Sequence, residues 1–279
     1  MNKTKIEWAD STWNPVTGCY HTCEYCYARR IANRYGGCSR SSIFGTYASP
    51  GQFTVGDMDT KSITGYADYP KLFEMYKPAS VTTKEGDSRL APYPFYFNPT
   101  LHRYRLDEPQ RKTKPQTIFV CSMADLFGAW VPDEWIEAVF EACEKAPQHR
   151  YLFLTKNPQR YIDLSESGRL PAKNNMWYGT TVTKLNEPFF WSIDRHTFVS
   201  IEPIMEDFTK GIIKKRDIYV EWVIVGAETG NRKNKVIPKK EWIDAIAEKC
   251  DSSNINLFLK DSLIPIVGEE NMRREFPWD

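Results

Sequence analysis

The chain has 279 residues, 41% of them apolar and 26% charged, enough for an ordinary core and too apolar for a disordered chain. Lys and Arg total 37 against 36 Asp and Glu, a formal charge of +1, so net charge gives no argument for nucleic acid and only a local basic patch can. The opening MNKTKIEWADSTWNP lacks the apolar core of a signal peptide, and no run approaches the roughly 18 apolar residues of a membrane span. The expectation is a soluble cytoplasmic protein with reduced thiols and no membrane partner.

STWNPVTG (11–18) reads as a first strand, followed by GCYHTCEYCYARR with Cys19, Cys23 and Cys26 and by a helix from about Tyr25 to Tyr35. Residues 36–93 are rich in Gly, Pro, Ser, Thr and Tyr. Connections this long are uncommon unless functional or disordered, so the segment is read as an insertion, either a lid or a tether. PFYFN (94–98) is the second strand. TIFVCSMADLF (117–127) starts as a buried strand and opens into a polar loop, and VPDEWIEAVFEACEKAP (131–147) is a helix with Pro132, Asp133 and Glu134 suited to its first turn. YLFLTK (151–156), MWYGTTV (176–182), TFVSIEP (197–203), EWVIVGAETG (221–230) and NLFLKDS (256–262) are further strands. Helical pieces at about 158–166, 186–194 and 238–250 lie between them. The strands are continuously apolar, as parallel strands covered on both faces are, and the β-then-α order implies right-handed crossovers. The fold class is therefore α/β, a (β/α)8 barrel or a partial one, as a single domain across 1–279.

Three cysteines at C-x3-C-x2-C spacing allow disulfides, zinc, an iron–sulfur cluster or unligated thiols. Seven cysteines in all is an odd number, and with a reducing compartment it sets disulfides aside. Zinc closes its fourth corner with a further Cys or His, and Cys38 or His21 is available. A cluster with one exchangeable iron needs three thiolates only.

C-x3-C-x2-C with Tyr25 before the third cysteine resembles the signature of radical S-adenosylmethionine enzymes. The resemblance implies that Cys19, Cys23 and Cys26 hold a [4Fe–4S] cluster, that its fourth iron chelates S-adenosylmethionine, and that Tyr25 lies by the adenine. It also implies an external electron donor and a 5′-deoxyadenosyl radical that abstracts hydrogen from a substrate. Along most of the chain, TKIEWADSTWNPVTGC, CSMADLFGAWVPDEW, LTKNPQRY, SIEPI and WVIVGAETG resemble a phage- and mobile-element-associated family of unassigned function grouped with these proteins. Many of its members have a wider gap between the first two cysteines, and the short gap here agrees with the radical signature. The Gly-Gly-Glu that often receives the methionine amine is missing near YFNPTLHRY.

In a parallel barrel the chemistry sits at the C-terminal strand ends. The candidates there are Asn98, Ser122 and Asp125, Thr155 and Lys156, Thr180 and Thr181, Glu202, Glu228, and Lys260 with Asp261. Lys156 and Glu202 are charges set directly on apolar strands and are assigned to catalysis. Cys121, ending TIFVC, joins them as a hydrogen donor to a product radical, with core packing as its other reading. Asn98, Ser122, Thr155, Thr181 and Glu228 are assigned to the cofactor. Cys143 and Cys250 read as packing. The basic runs RRIANRYGGCSR, LHRYRLDEPQRKTK and NRKNKVIPKK lean towards a nucleic acid or nucleotide substrate, with a peptide or small metabolite as alternatives. The rival reading is a zinc- or cluster-stabilised nucleic-acid-binding or interaction protein without catalysis.

Overall fold

The computed structural model describes residues 1–38, 72–83, 86–208 and 220–279. They fall into two compact units, Met1–Lys3 with Ser11–His149, and Thr4–Asp10 with Arg150–Asp279.

In the first unit β1 (Asn2–Lys3) pairs antiparallel with β2 (Ser11–Trp13), and β2 pairs parallel with β8 (Thr117–Val120). A second sheet has β3 (Val16–Thr17) antiparallel and β4 (Phe73–Met75) parallel to β7 (Thr100–His102), and β5 (Ser80–Thr82) forms a hairpin with β6 (Ser88–Leu90). The first predicted strand is thus two strands in different sheets. Pro15 brings no N–H to a ladder, while Asn14 Oδ1 accepts from Met123 N at 2.9 Å and Ser122 Oγ at 3.1 Å, which turns the chain between them.

The second predicted strand is corrected. PFYFN is a turn, closed by Tyr96 N to Tyr93 O at 3.0 Å and Asn98 N to Phe95 O at 3.2 Å, with Tyr96 at φ 58°. Its alternation is real, since Phe95 and Phe97 are buried and Tyr96 is exposed, but the left-handed residue excludes a ladder. The strand comes later, as β7. Of the predicted insertion, 72–83 and 86–93 build β4 and the hairpin, with Phe73, Met75, Ala79 and Ala91 packed on Phe95. Residues 39–71 and 84–85 lie outside the described residues.

Helix α1 (Tyr27–Arg34) follows the cysteine loop, and α2 (Asp133–Glu144) starts beside Pro132 with Asp133 and Glu134 in its first turn. Both match expectation. Trp135 of α2 donates Nε1 to Glu74 Oε1 at 2.7 Å, and Arg103 grips the same carboxylate at 2.6 and 3.0 Å, tying α2 to β4 and the residues after β7.

The second unit holds five parallel strands in sequential order, β9 (Arg150–Thr155), β10 (Met176–Thr181), β11 (His196–Ile201), β12 (Trp222–Val225) and β13 (Asn256–Leu259). Helices α3 (Pro158–Glu166) and α4 (Lys240–Ser253) lie where the periodicity put them. Val199, Ile201, Val223, Val225, Leu257 and Leu259 pack into one cluster with Ile243, Ile246 and Cys250 of α4. Phe198, Trp222 and Phe258, the alternate positions, meet Trp8, Phe276 and Trp278 edge-on or tilted. Apolar cover on both faces is what the unbroken apolar strands demanded.

The helix predicted at 186–194 does not form. The Glu187 carboxylate takes the N–H of Thr183 and Lys184, Thr180 Oγ1 takes that of Phe190 at 3.1 Å, and Pro188 has none to give. Inside the expected helix the Phe190 N–H is thus given to a side chain and not to a helical ladder, and Glu187 folds back on the residues before it. The architecture is mixed α/β with mostly parallel pairing, and no closed barrel is shown by the pairings of either unit.

Candidate functional site

The cysteine loop is anchored at both ends. Gly18 donates its N–H to Met123 O at 2.9 Å and bridges Ala124, and Cys19 N donates to Phe97 O at 3.1 Å. Gly18 sits at φ 86°, and a Cβ there would stand 2.2 Å from Asn98 O, so only glycine lets the loop enter so closely. At the far end Cys26 is the N-cap of α1, its Sγ accepting from Arg29 N at 3.3 Å, and Cys26 N closes a turn on Cys23 O at 3.2 Å.

Between the anchors lies a brace that the strand-end reasoning missed. His21 Nε2 pairs with Asp125 Oδ2 at 2.9 Å, and the ring stands edge-on to Trp130 at 4.8 Å. Asp125 is buried, and its other oxygen accepts Phe127 N at 3.1 Å. Arg29 donates to His21 O, and Tyr27 Oη donates to Ser122 O at 2.8 Å. The loop after β8 therefore holds the cysteine loop by side chain and backbone together. Asp125 as a polar residue following a strand was the available signal; its partner could not be read from the sequence, 104 residues away.

Burial, then Asp125, then Cys23 and Cys26 push the Cys19 thiol well above its ordinary range, only partly offset by the His21 amide. Cys121 is buried at φ 58°, and burial pushes its thiol up to about 12. Cys38 donates to Pro94 O at 3.7 Å, and His21 is engaged with Asp125, so both expected fourth zinc ligands have other partners. Asn98 Nδ2 closes the PFYFN turn on Phe95 O at 2.8 Å, and Tyr25 is half-buried on the loop.

Among the described residues no three His, Cys, Asp or Glu side chains are gathered as a preformed metal site. The donor chemistry nevertheless fits a thiolate-bound metal cluster, since three thiols share one loop anchored at both ends.

In the second unit the parallel register aligns the strand ends, with Thr155 opposite Thr180, Thr181 opposite Ser200, and Val225 between Ile201 and Leu259. Thr155, Lys156, Thr181, Glu202, Glu228 and Lys260 thus share the C-terminal edge of that sheet. Two of them touch. Glu202 Oε1 meets Lys260 Nζ at 2.5 Å, and Glu202 Oε2 accepts from Ser200 Oγ at 2.8 Å. Burial alone would lower the Lys260 pKa; the attraction of Glu202, helped by Glu7 and Asp261, outweighs it and leaves the pKa raised. Glu228 is held by Arg232 through two bonds of 2.7 Å, which keep its carboxyl below the usual range. Thr155 Oγ1 accepts Asn157 N at 2.9 Å. The candidates therefore divide: Cys19, Cys23, Cys26, Tyr25, Asn98, Cys121 and Ser122 belong to the first unit, and Thr155, Lys156, Thr181, Glu202 and Glu228 to the second.

The family model described as "Protein of unknown function (DUF5131)" matches residues 3–67 and 74–264. The chain belongs to this family. The DUF5131 match takes in the cysteine loop, the loop after β8 and the strand ends of the second unit, so every candidate residue lies inside it. Neither the curated proteins nor the solved structures contain a match to the chain. No described helix is long and apolar enough to cross a membrane.

Proposed function

We propose that the protein is a cytoplasmic radical S-adenosylmethionine enzyme whose first unit binds a [4Fe–4S] cluster through Cys19, Cys23 and Cys26. The observation that carries this reading is the cysteine loop itself: three thiols held between the Gly18 anchor and the α1 N-cap. With S-adenosylmethionine bound, such a cluster supplies one-electron cleavage of a carbon–sulfur bond and, through it, abstraction of hydrogen from an unactivated C–H bond.

The chain's own work is to hold and exclude. The α1 amides and dipole favour negative charge at Cys26. The His21–Asp125 brace fixes the loop, and burial keeps Cys121 a protonated thiol able to give up hydrogen. Tyr25 is assigned to the adenine, with Asn98 and Ser122 also on the cofactor. Thr155, Lys156, Thr181, Glu202 and Glu228 line the strand ends of the second unit, the edge outside which parallel sheets carry ligands. The substrate is a nucleic acid or nucleotide, and the reductant is an external electron donor.

Anaerobic purification and reconstitution test this. The expected protein is brown, binds about four irons per chain as a [4Fe–4S] cluster requires, and after chemical reduction cleaves S-adenosylmethionine to 5′-deoxyadenosine and methionine. A colourless protein with zinc, or a loaded and reducible cluster that yields no 5′-deoxyadenosine with or without nucleic acid, would refute it.

A further inference from the structure

Helix α1 is short, and it buries only Ala28 and Ala32. Its other face is unusual. Tyr27, Ile31 and Tyr35 are 47%, 37% and 48% exposed, at i, i+4 and i+8, so they line one stripe of about 12 Å. Arg30 and Arg34 are exposed alongside, with no ion-pair partner for either among the described residues, and the helix contains no acidic residue. The Arg34 guanidinium lies 5.4 Å from the centre of the Tyr35 ring.

The stripe is extended by Tyr96, which is 53% exposed between the buried Phe95 and Phe97. Its ring lies on the two glycines that follow Tyr35: a Cβ on Gly36 would come within 2.5 Å of Tyr96 Cδ1, and one on Gly37 within 3.2 Å of its hydroxyl. Tyr96 holds φ 58°, a conformation that bulky residues avoid. The turn therefore spends backbone strain on showing an aromatic face to solvent, next to a helix that already shows two.

Exposed aromatics interleaved with arginines that hold no ion pair among the described residues match one partner chemistry well. Bases stack on aromatics whatever their sequence, and phosphates pair with guanidinium groups. A duplex keeps its bases stacked on each other and cannot use the tyrosines; a single strand can. We propose that Tyr27, Tyr35 and Tyr96, with Arg30 and Arg34, form a docking surface for single-stranded nucleic acid. Because Cys26 caps the start of α1, a strand lying along the stripe leads to the third cysteine. What happens to it there rests on the enzyme reading above; the docking itself needs no cluster.

Fluorescence anisotropy of the full chain with labelled single-stranded DNA and RNA oligonucleotides of mixed sequence, and with the matching duplex, tests this. Single strands should bind more tightly than the duplex. Tyr35→Ala and Tyr96→Ala should each weaken binding by about fivefold or more, the lower end for one lost stacking partner, while Tyr35→Phe restores it. Arg30→Gln with Arg34→Gln should lower the slope of log affinity against log salt by about 1.4, two charges on a single strand. Iron content and circular dichroism should not change in the Tyr35 and arginine variants. If the wild type takes up no iron yet binds single strands through these residues, the enzyme reading fails and the surface stands. No binding at low salt by folded protein, equal affinity for duplex, or affinity indifferent to Tyr35 and to the arginine pair would overturn the proposal. So would a dimer in sedimentation that Tyr35→Ala abolishes, which would assign the stripe to a second copy.

Discussion

Glu202 is the candidate whose surroundings say most about what its removal does. Its carboxylate faces Lys260 Nζ at 2.5 Å, and the two side chains are 20% and 23% exposed. An exposed ion pair contributes about 0–1 kcal/mol, and breaking a fully buried one costs about 3–5 kcal/mol. Partial burial, with a remaining Ser200 bond to Glu202, places each single replacement at about 2 kcal/mol. Glu202→Gln removes the main counter-charge of a largely buried ammonium and leaves only the weaker attraction of Glu7 and Asp261; Lys260→Met leaves the carboxylate. The double variant leaves no uncompensated charge, so it should be less destabilised than the two singles added together, by at least about 1 kcal/mol of coupling. Urea unfolding at neutral pH, followed by circular dichroism, measures all four proteins. Alkaline pH adds a second check. The folded chain holds the Lys260 proton more tightly than the unfolded chain does, so this stabilisation is complete below the ordinary lysine range near about 10.4 and fades as pH rises through the raised folded value. The deficit of Glu202→Gln should shrink there. Coupling below about 0.5 kcal/mol at neutral pH would refute the reasoning, because the pair would then behave as two independent surface charges.

Three other predictions concern the first unit. Cys19→Ala, Cys23→Ala and Cys26→Ala should each abolish iron uptake on reconstitution, while Cys38→Ala, whose thiol faces Pro94 O, should keep it; iron analysis decides, and equal loss from Cys38→Ala would indicate a four-thiolate site. Asp125→Asn should destabilise the protein by about 1.5–3 kcal/mol, the range for a hydrogen bond to a charged group, and a cycle with His21→Ala should show the two effects are not additive; additive effects would remove the brace. Tyr25→Ala should weaken S-adenosylmethionine binding by about 1 kcal/mol, the scale of one aromatic partner, with iron retained, and calorimetric titration of the reconstituted protein reads it.

The second unit was the more legible half. YLFLTK, MWYGTTV, TFVSIEP, EWVIVGAETG and NLFLKDS are built on apolar runs, and each holds a strand that starts within a residue of expectation; the fourth ends at Val225 and the fifth at Leu259, short of the predicted 230 and 262. Burial on both faces of a parallel sheet leaves a pattern that no local contact competes with. Helices α2, α3 and α4 carried Pro at or just before their starts, which punctuates the chain as plainly. Where side chains capture backbone donors, reading by pattern failed. Asn14 divides the first strand, Thr180 takes the Phe190 N–H inside the expected 186–194 helix while Glu187 turns back on Thr183 and Lys184, and Tyr96 turns an alternating stretch into a loop. Periodicity reports which residues are apolar, and says nothing about which N–H a neighbouring carboxylate will take.

For the candidate sites the division is similar. The sequence by itself determined the cysteine spacing, the polar strand ends and the basic runs, because these are matters of residue type and order. Only the tertiary structure decided the partners. His21 with Asp125, Glu202 with Lys260, and Tyr96 laid across Gly36 each join residues separated by tens of positions or more. Such pairs leave no periodic trace, since their geometry is set by how strands and turns pack and not by the chain between them. The physical reason is one of range: local pattern fixes elements whose hydrogen bonds run within a few residues or along a ladder, whereas a charge pair or a stacked ring exists only once burial has brought distant side chains into contact.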